Sequence, residues 1–153
     1  MSVDEKLKEL GISLPEAPQP VAAYLPAVAS GNHVFVSGQL PMRDGELMAT
    51  GKVSSQISPE QAKEASRQCV LNALAVLKAE LAGDLSRLVR VVKLAAFVQS
   101  DDDFYAQPQV VNGASEFLQE LLGEAGRHSR AAVGVNALPL NAAVEIEFVF
   151  EVK

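Results

Sequence analysis

Apolar residues alternate with small or polar ones most clearly near the C-terminal end. There, residues 130–139 (Arg-Ala-Ala-Val-Gly-Val-Asn-Ala-Leu-Pro) precede residues 144–150 (Val-Glu-Ile-Glu-Phe-Val-Phe). This alternation predicts two strands, because successive side chains of a strand point to opposite faces. Val133 and Val135 share one face of the first strand, and Val144, Ile146, Phe148 and Phe150 share one face of the second. The opposite face is assigned Arg130, Gly134, Glu145 and Glu147. An arginine, small residues and carboxylates do not make a core. Such a face is either solvated or the floor of a site for a small anion.

Upstream, residues 33–40 predict a strand with Val34 and Val36 facing one way and Phe35 and Ser37 the other. Arg43-Asp44-Gly45 predicts a hairpin turn into a short strand around residues 47–50. Ser58-Pro59-Glu60-Gln61 reads as a helix start, with Ser58 as N-cap, Pro59 at the first helical position and Gln61 closing a capping box. That helix runs to about Leu81 on the stripe Ala62, Ala65, Cys69, Ala73, Leu77 and Leu81, and Gly83 ends it. A β-branched run at residues 88–98 predicts a long central strand. A second helix follows Pro108, its apolar positions Val110, Ala114, Phe117, Leu118 and Leu121 recurring at the helical interval, with Gly123 and Gly126 closing it.

At the N-terminus, residues 3–10 predict a short helix ended by Gly11. Pro15, Pro18, Pro20 and Pro26 then impose an extended, irregular path. Residues 1–20 are read as an extension lying on a single domain, residues 21–153. The order β-β-α-β-α-β-β gives an α+β sandwich, two helices on one face of a mixed sheet. The other face is half apolar, and burying it by self-association predicts a homo-oligomer.

Composition narrows the function. A chain of 153 residues is most simply one domain, able to bury roughly 70% of its unfolded surface. Its 48% hydrophobic and 21% charged residues are ordinary for a globular protein. The net charge of −6 argues against gripping a phosphate backbone, so nucleic acid is not the expected partner. No run approaches the ~18 apolar residues of a membrane span. One cysteine, Cys69, leaves no intramolecular disulfide, and no secretory signal is read, so a cytoplasmic setting is expected.

Arg130 is the sharpest candidate, since a guanidinium fork binds a carboxylate through two parallel hydrogen bonds. The alternative is a surface ion pair with Glu145 or Glu147. Glu145, assigned to the same face, is either a general base for a water or a solvent-facing strand residue. Tyr24 and Ser37 flank the first strand and either touch a ligand or are ordinary edge residues. Asn112, a poor helix former inside the second helix, is expected to hydrogen-bond a neighbouring loop. Cys69 lies on an apolar stripe and reads as inert core. His33 and His128 suggest no zinc-ligand spacing and no Cys–His or Ser–His pair. Asp101-Asp102-Asp103 cannot all face one ion from a regular strand and read as helix-entry charge. No phosphate-binding glycine loop is present, so no cofactor and no metal are expected.

Taken in order, Tyr24, Gly31-Asn32, Val36-Ser37-Gly38-Gln39-Leu40-Pro41, Val111-Asn112, Arg130, Leu138-Pro139 and Glu145-Ile146-Glu147 resemble the RidA/YjgF family of reactive intermediate deaminases. The likeness covers roughly residues 20–152. It implies a chorismate-mutase-like fold, a homotrimer with sites in the clefts between subunits, and hydrolysis of enamines or imines such as 2-aminoacrylate to 2-keto acids and ammonia. By position, Arg130 clamps the substrate carboxylate and Glu145 positions or activates water. Tyr24, Ser37 and Gly38 line the pocket, and Asn112 supports it. The family's usual cysteine is replaced by Ala132, which then contributes only backbone groups. Gly134 stands where many members have an acidic residue, which implies a roomier pocket. These departures keep a non-catalytic carboxylate-binding trimer open as the alternative, with a protein-interaction role third and RNA cleavage weakest.

Overall fold

Why the chain forms a sheet with one covered face is evident from its longest strands. The computed structural model describes residues 1–19 and 23–153. In it, β1 (Ala27–Ser30), β2 (His33–Gln39), β5 (Leu88–Gln99), β6 (Ser129–Val135) and β7 (Val144–Val152) form one sheet in the order β1-β2-β7-β5-β6. β3 (Met42–Arg43) and β4 (Glu46–Leu47) make a separate hairpin. All pairings in the large sheet are antiparallel except β5 with β6. One face collects Val34, Val36, Leu94, Ala96, Val98, Ile146, Phe148 and Phe150, all buried. Full burial of each large side chain contributes about 1.5–3 kcal/mol.

The helices α2 (Pro59–Glu80) and α3 (Gln107–Leu122) cover that face. The capping box expected at Ser58 and Gln61 is present, and Pro59 sits in the first turn. α3 approaches α2 so closely at Gly113 that a Cβ there would run into the Lys63 carbonyl and lie 2.5 Å from Ser66 Oγ. α1 (Val3–Glu9) packs against α3 and sends Val3 and Leu7 into the core. A Lys78–Asp4 ion pair of 2.8 Å ties it to α2. No helix among the described residues is long and apolar enough to cross a membrane.

Several expectations need correction. β1 is an additional strand, hidden in the sequence because the proline-rich stretch before it reads as irregular. The strand expected at residues 47–50 shortens to β4, and Thr50 instead bridges Ala142. The boundary placed between residues 20 and 21 lies outside the described residues. In the sheet, β5 runs between the two C-terminal strands.

Most consequential is the face of β6. Arg130, Ala132 and Gly134 pair with Leu94, Ala96 and Val98, so they point to the helix side of the sheet. Glu145 and Glu147 pair with Phe97 and Ala95 and point to the other side. Arg130 and Glu145 are therefore on opposite faces, and neither carboxylate is an ion-pair partner of this arginine. Alternation fixes which residues of one strand share a face, but not how two strands are phased. The open face also presents Val28, Phe35 and Val133, all exposed. Val28, Phe35 and Val149 form one row across β1, β2 and β7.

Candidate active site

The candidate residues gather in two places. The first is around the end of β2, where the register with β7 shifts between Val36 and Gln39. This irregularity re-aims Ser37, whose hydroxyl donates to the Leu25 carbonyl at 2.7 Å and holds the preceding segment down. Tyr24, Ser37 and Gly38 then line a cavity of about 400 Å³. The N-terminal extension supplies a wall of it through Pro15, Glu16 and Pro18.

Glu145 reaches this end of the sheet from β7. A Cβ on Gly38 would collide with its carboxylate, so only glycine lets β2 and the Glu145 side chain lie so close. Burial, and then the charge of Glu147 two residues on, raises the Glu145 carboxyl above its ordinary range. A carboxylate with a raised pKa is a stronger base when ionised, which suits proton abstraction from water.

The second group is at the other edge of the sheet. Arg130 rises from β6 and donates from Nη1 to Ser115 Oγ at 3.0 Å and from Nη2 to the Pro108 carbonyl at 3.4 Å. With Asn112, Ser115 and His128 it lines a cleft of about 290 Å³. The loop hydrogen bond expected of Asn112 is absent among the described residues; its side chain borders the cleft instead. His128 Nε2 lies 2.9 Å from Ser115 Oγ. This corrects the expectation of no Ser–His pair: the two are 13 residues apart, one on α3 and one beyond it, with no motif to link them.

Ala132 is half-buried on the helix side, against the core. Cys69 cannot replace the thiol missing there. It is fully buried in α2, and burial followed by the charge of Glu145 pushes its thiol pKa far up. Gly134 borders a cleft of about 290 Å³ together with Ser100, Phe104 and Gln107, and Gln107 Nε2 stands 2.7 Å from where a Cβ would be. Asp101 accepts from both Ser55 N and Ser55 Oγ at 2.7 Å, so the head of the acidic run ties two loops together.

Comparison with known proteins agrees with this fold. The family model described as "YjgF/chorismate mutase-like, putative endoribonuclease" matches residues 4–152. "Protein TCP17" of Trypanosoma cruzi is 43% identical over 150 residues, covering 97% of this chain and 93% of that protein. The "2-iminobutanoate/2-iminopropanoate deaminase" of Dermatophagoides farinae is 36% identical over 138 residues, covering 89% and 91%. Among solved structures, Atu1372 of Agrobacterium tumefaciens, of unknown function, superposes with a TM-score of 0.92 at 47% identity, covering 99% and 92%. E. coli TdcF with bound serine superposes with a TM-score of 0.62 at 27% identity, covering 90% and 94%.

Proposed function

This chain belongs to the YjgF/RutC family and has its chorismate-mutase-like α+β fold, and on that basis we propose that it hydrolyses reactive enamines and imines of 2-amino acids to 2-keto acids and ammonia. 2-Aminoacrylate is the smallest such substrate. The observation that carries the reading is a complementary pair. Glu145 is a carboxylate poised as a base, and Arg130 is a guanidinium whose partners within the chain, Ser115 and Pro108, are both neutral.

Arg130 and Glu145 face opposite sides of one sheet, so a single chain holds two half-sites. β6 and β1 are both edge strands, and the open sheet face between them is partly apolar. Copies meeting there as a homotrimer bring the Arg130 cleft of one against the Tyr24, Ser37 and Gly38 cavity of the next.

In such a site the guanidinium holds the substrate carboxylate by two parallel hydrogen bonds, with Asn112 at its side. 2-Aminoacrylate gains a proton at its terminal carbon and loses one from nitrogen to become the imine, whose C2 is electrophilic without further activation. Glu145 accepts a proton from water as the oxygen bonds to C2 and returns it to nitrogen, giving the carbinolamine. It then carries the hydroxyl proton to nitrogen as the C=O bond forms and the C–N bond breaks, leaving pyruvate and ammonia. Holding water and imine together supplies much of the rate advantage. Ala132 contributes no ionisable group, so the proton transfers fall to Glu145.

The test is a coupled assay in which a pyridoxal-phosphate dehydratase generates 2-aminoacrylate from serine and pyruvate appearance is followed. The wild type accelerates it and the Arg130→Ala variant does not. If neither accelerates it, and bulkier imines are untouched while 2-keto acids still bind, the protein is a carboxylate-binding module. Ala132 in the cysteine position is what favours that second reading.

A further inference from the structure

We propose that Ser115 and His128 are positioning residues for Arg130, forming a one-way hydrogen-bond chain that sets the direction in which the guanidinium meets a carboxylate. The proposal rests on Arg130 being the carboxylate clamp.

The chain's direction follows from its far end. His128 Nδ1 is 2.7 Å from the Gly126 carbonyl oxygen, which only accepts, so Nδ1 carries the ring proton. Burial lowers the imidazole pKa; the Gly126 contact opposes this and the charge of Arg130 adds to it. At neutral pH, Nε2 is therefore bare and accepts. Its neighbour at 2.9 Å is Ser115 Oγ, which commits its only proton there. Ser115 is left with lone pairs alone to offer Arg130, and Nη1 donates to them at 3.0 Å. The Pro108 carbonyl holds Nη2 at 3.4 Å. Two of the five guanidinium donors are thus used on neutral groups of α3, and three remain for a ligand.

The geometry needs Gly126. A Cβ there would run into the Leu118 backbone, so only glycine lets this loop lie close enough to α3 for His128 to reach Ser115. The charged groups around the imidazole are Arg130 on β6, Arg127 beside it and Glu116 on α3. Arg127 pairs with Glu124 at 3.6 Å, Glu116 pairs with Lys63 at 3.2 Å, and Arg90 on β5 donates to the Arg127 carbonyl. Protonating His128 would turn Nε2 into a second donor toward Ser115 Oγ beside Arg130 Nη1 and reverse the Ser115–His128 link.

Titration calorimetry with 2-oxobutanoate as the probe, together with imidazole ¹⁵N shifts, tests this. The wild type shows His128 as the Nδ1–H tautomer at neutral pH. Ser115→Ala binds the probe about tenfold more weakly, because one of the two anchors of the guanidinium is gone. Ser115→Thr, which keeps the hydroxyl, and His128→Gln, whose amide oxygen replaces Nε2 as acceptor, restore near-wild-type binding. His128→Ala behaves like Ser115→Ala. Wild-type binding by Ser115→Ala, with binding lost in Arg130→Ala, overturns the positioning role and leaves the clamp intact. Wild-type binding by Arg130→Ala overturns both. An Nε2–H tautomer overturns the direction of the chain.

Discussion

Gly38 and Glu145 are in contact across β2 and β7, and the carboxylate occupies the space a Gly38 side chain would need. Gly38 does not have a positive φ, so the requirement for glycine here is one of room and not of backbone freedom. Gly38→Ala must therefore displace Glu145. Pyruvate formation in the coupled assay is expected to fall at least tenfold, while thermal unfolding shifts by only the ~1–3 kcal/mol typical of overpacking. An active Gly38→Ala variant would separate Glu145 from the chemistry.

The pH profile follows from the same carboxylate. Glu145 must be ionised to take a proton from water, and its pKa is raised by burial and by Glu147. The acidic limb of kcat/KM should thus lie above the ordinary range for a glutamate. Glu147→Gln removes the like charge and should move that limb to lower pH. Glu145→Gln should abolish the limb and cost about 10²–10⁴ in rate. A profile unmoved by Glu147→Gln would assign the limb to another group.

His128 and Glu145 affect stability with opposite signs. His128 has a lowered pKa in the folded state, so its contribution is present above the unfolded value of about 6.5 and is lost as pH falls through the folded value. Glu145 has a raised pKa, so its contribution is present below about 4.5 and is lost as pH rises through the folded value. Chemical denaturation between pH 7 and pH 5 should show the first loss in the wild type and less of it in His128→Gln.

Because Arg130 and Glu145 face opposite sides of one sheet, a mixing experiment tests the proposed site between subunits. Arg130→Ala and Glu145→Gln should each be inactive alone. Unfolded together and refolded as mixed oligomers, they should recover about a quarter of wild-type activity, since a quarter of randomly formed interfaces in a closed ring carry both intact halves. No recovery in oligomers shown by mass spectrometry to be mixed would place the two residues in separate roles.

Gly113 sets the spacing of the two long helices. Gly113→Ala improves helix propensity, yet its Cβ would meet the Lys63 carbonyl and Ser66. Crowding should win, with a net loss of about 1–3 kcal/mol measured by denaturant unfolding. A more stable variant would show that α2 and α3 can separate without cost.

Elements whose cause is local are legible in the sequence. Ser58, Pro59 and Gln61 define a helix start through backbone hydrogen bonds within a few residues. Alternation at residues 144–150 defines a strand with one buried face. Asp44 and Gly45 define a hairpin, and both take the positive φ its turn needs. The ordered residues from Tyr24 to Glu147 were enough to mark the family. The tertiary structure alone decided how those elements are phased. A strand's side-chain period of two leaves the sign of each strand free, and that sign is fixed only when β6 pairs with β5 rather than β7. That pairing put Arg130 on the helix side, opposite Glu145. It also let Ser115 and His128, unremarkable in sequence, close around the guanidinium, because a hydrogen bond depends on distances in space that no spacing along the chain encodes.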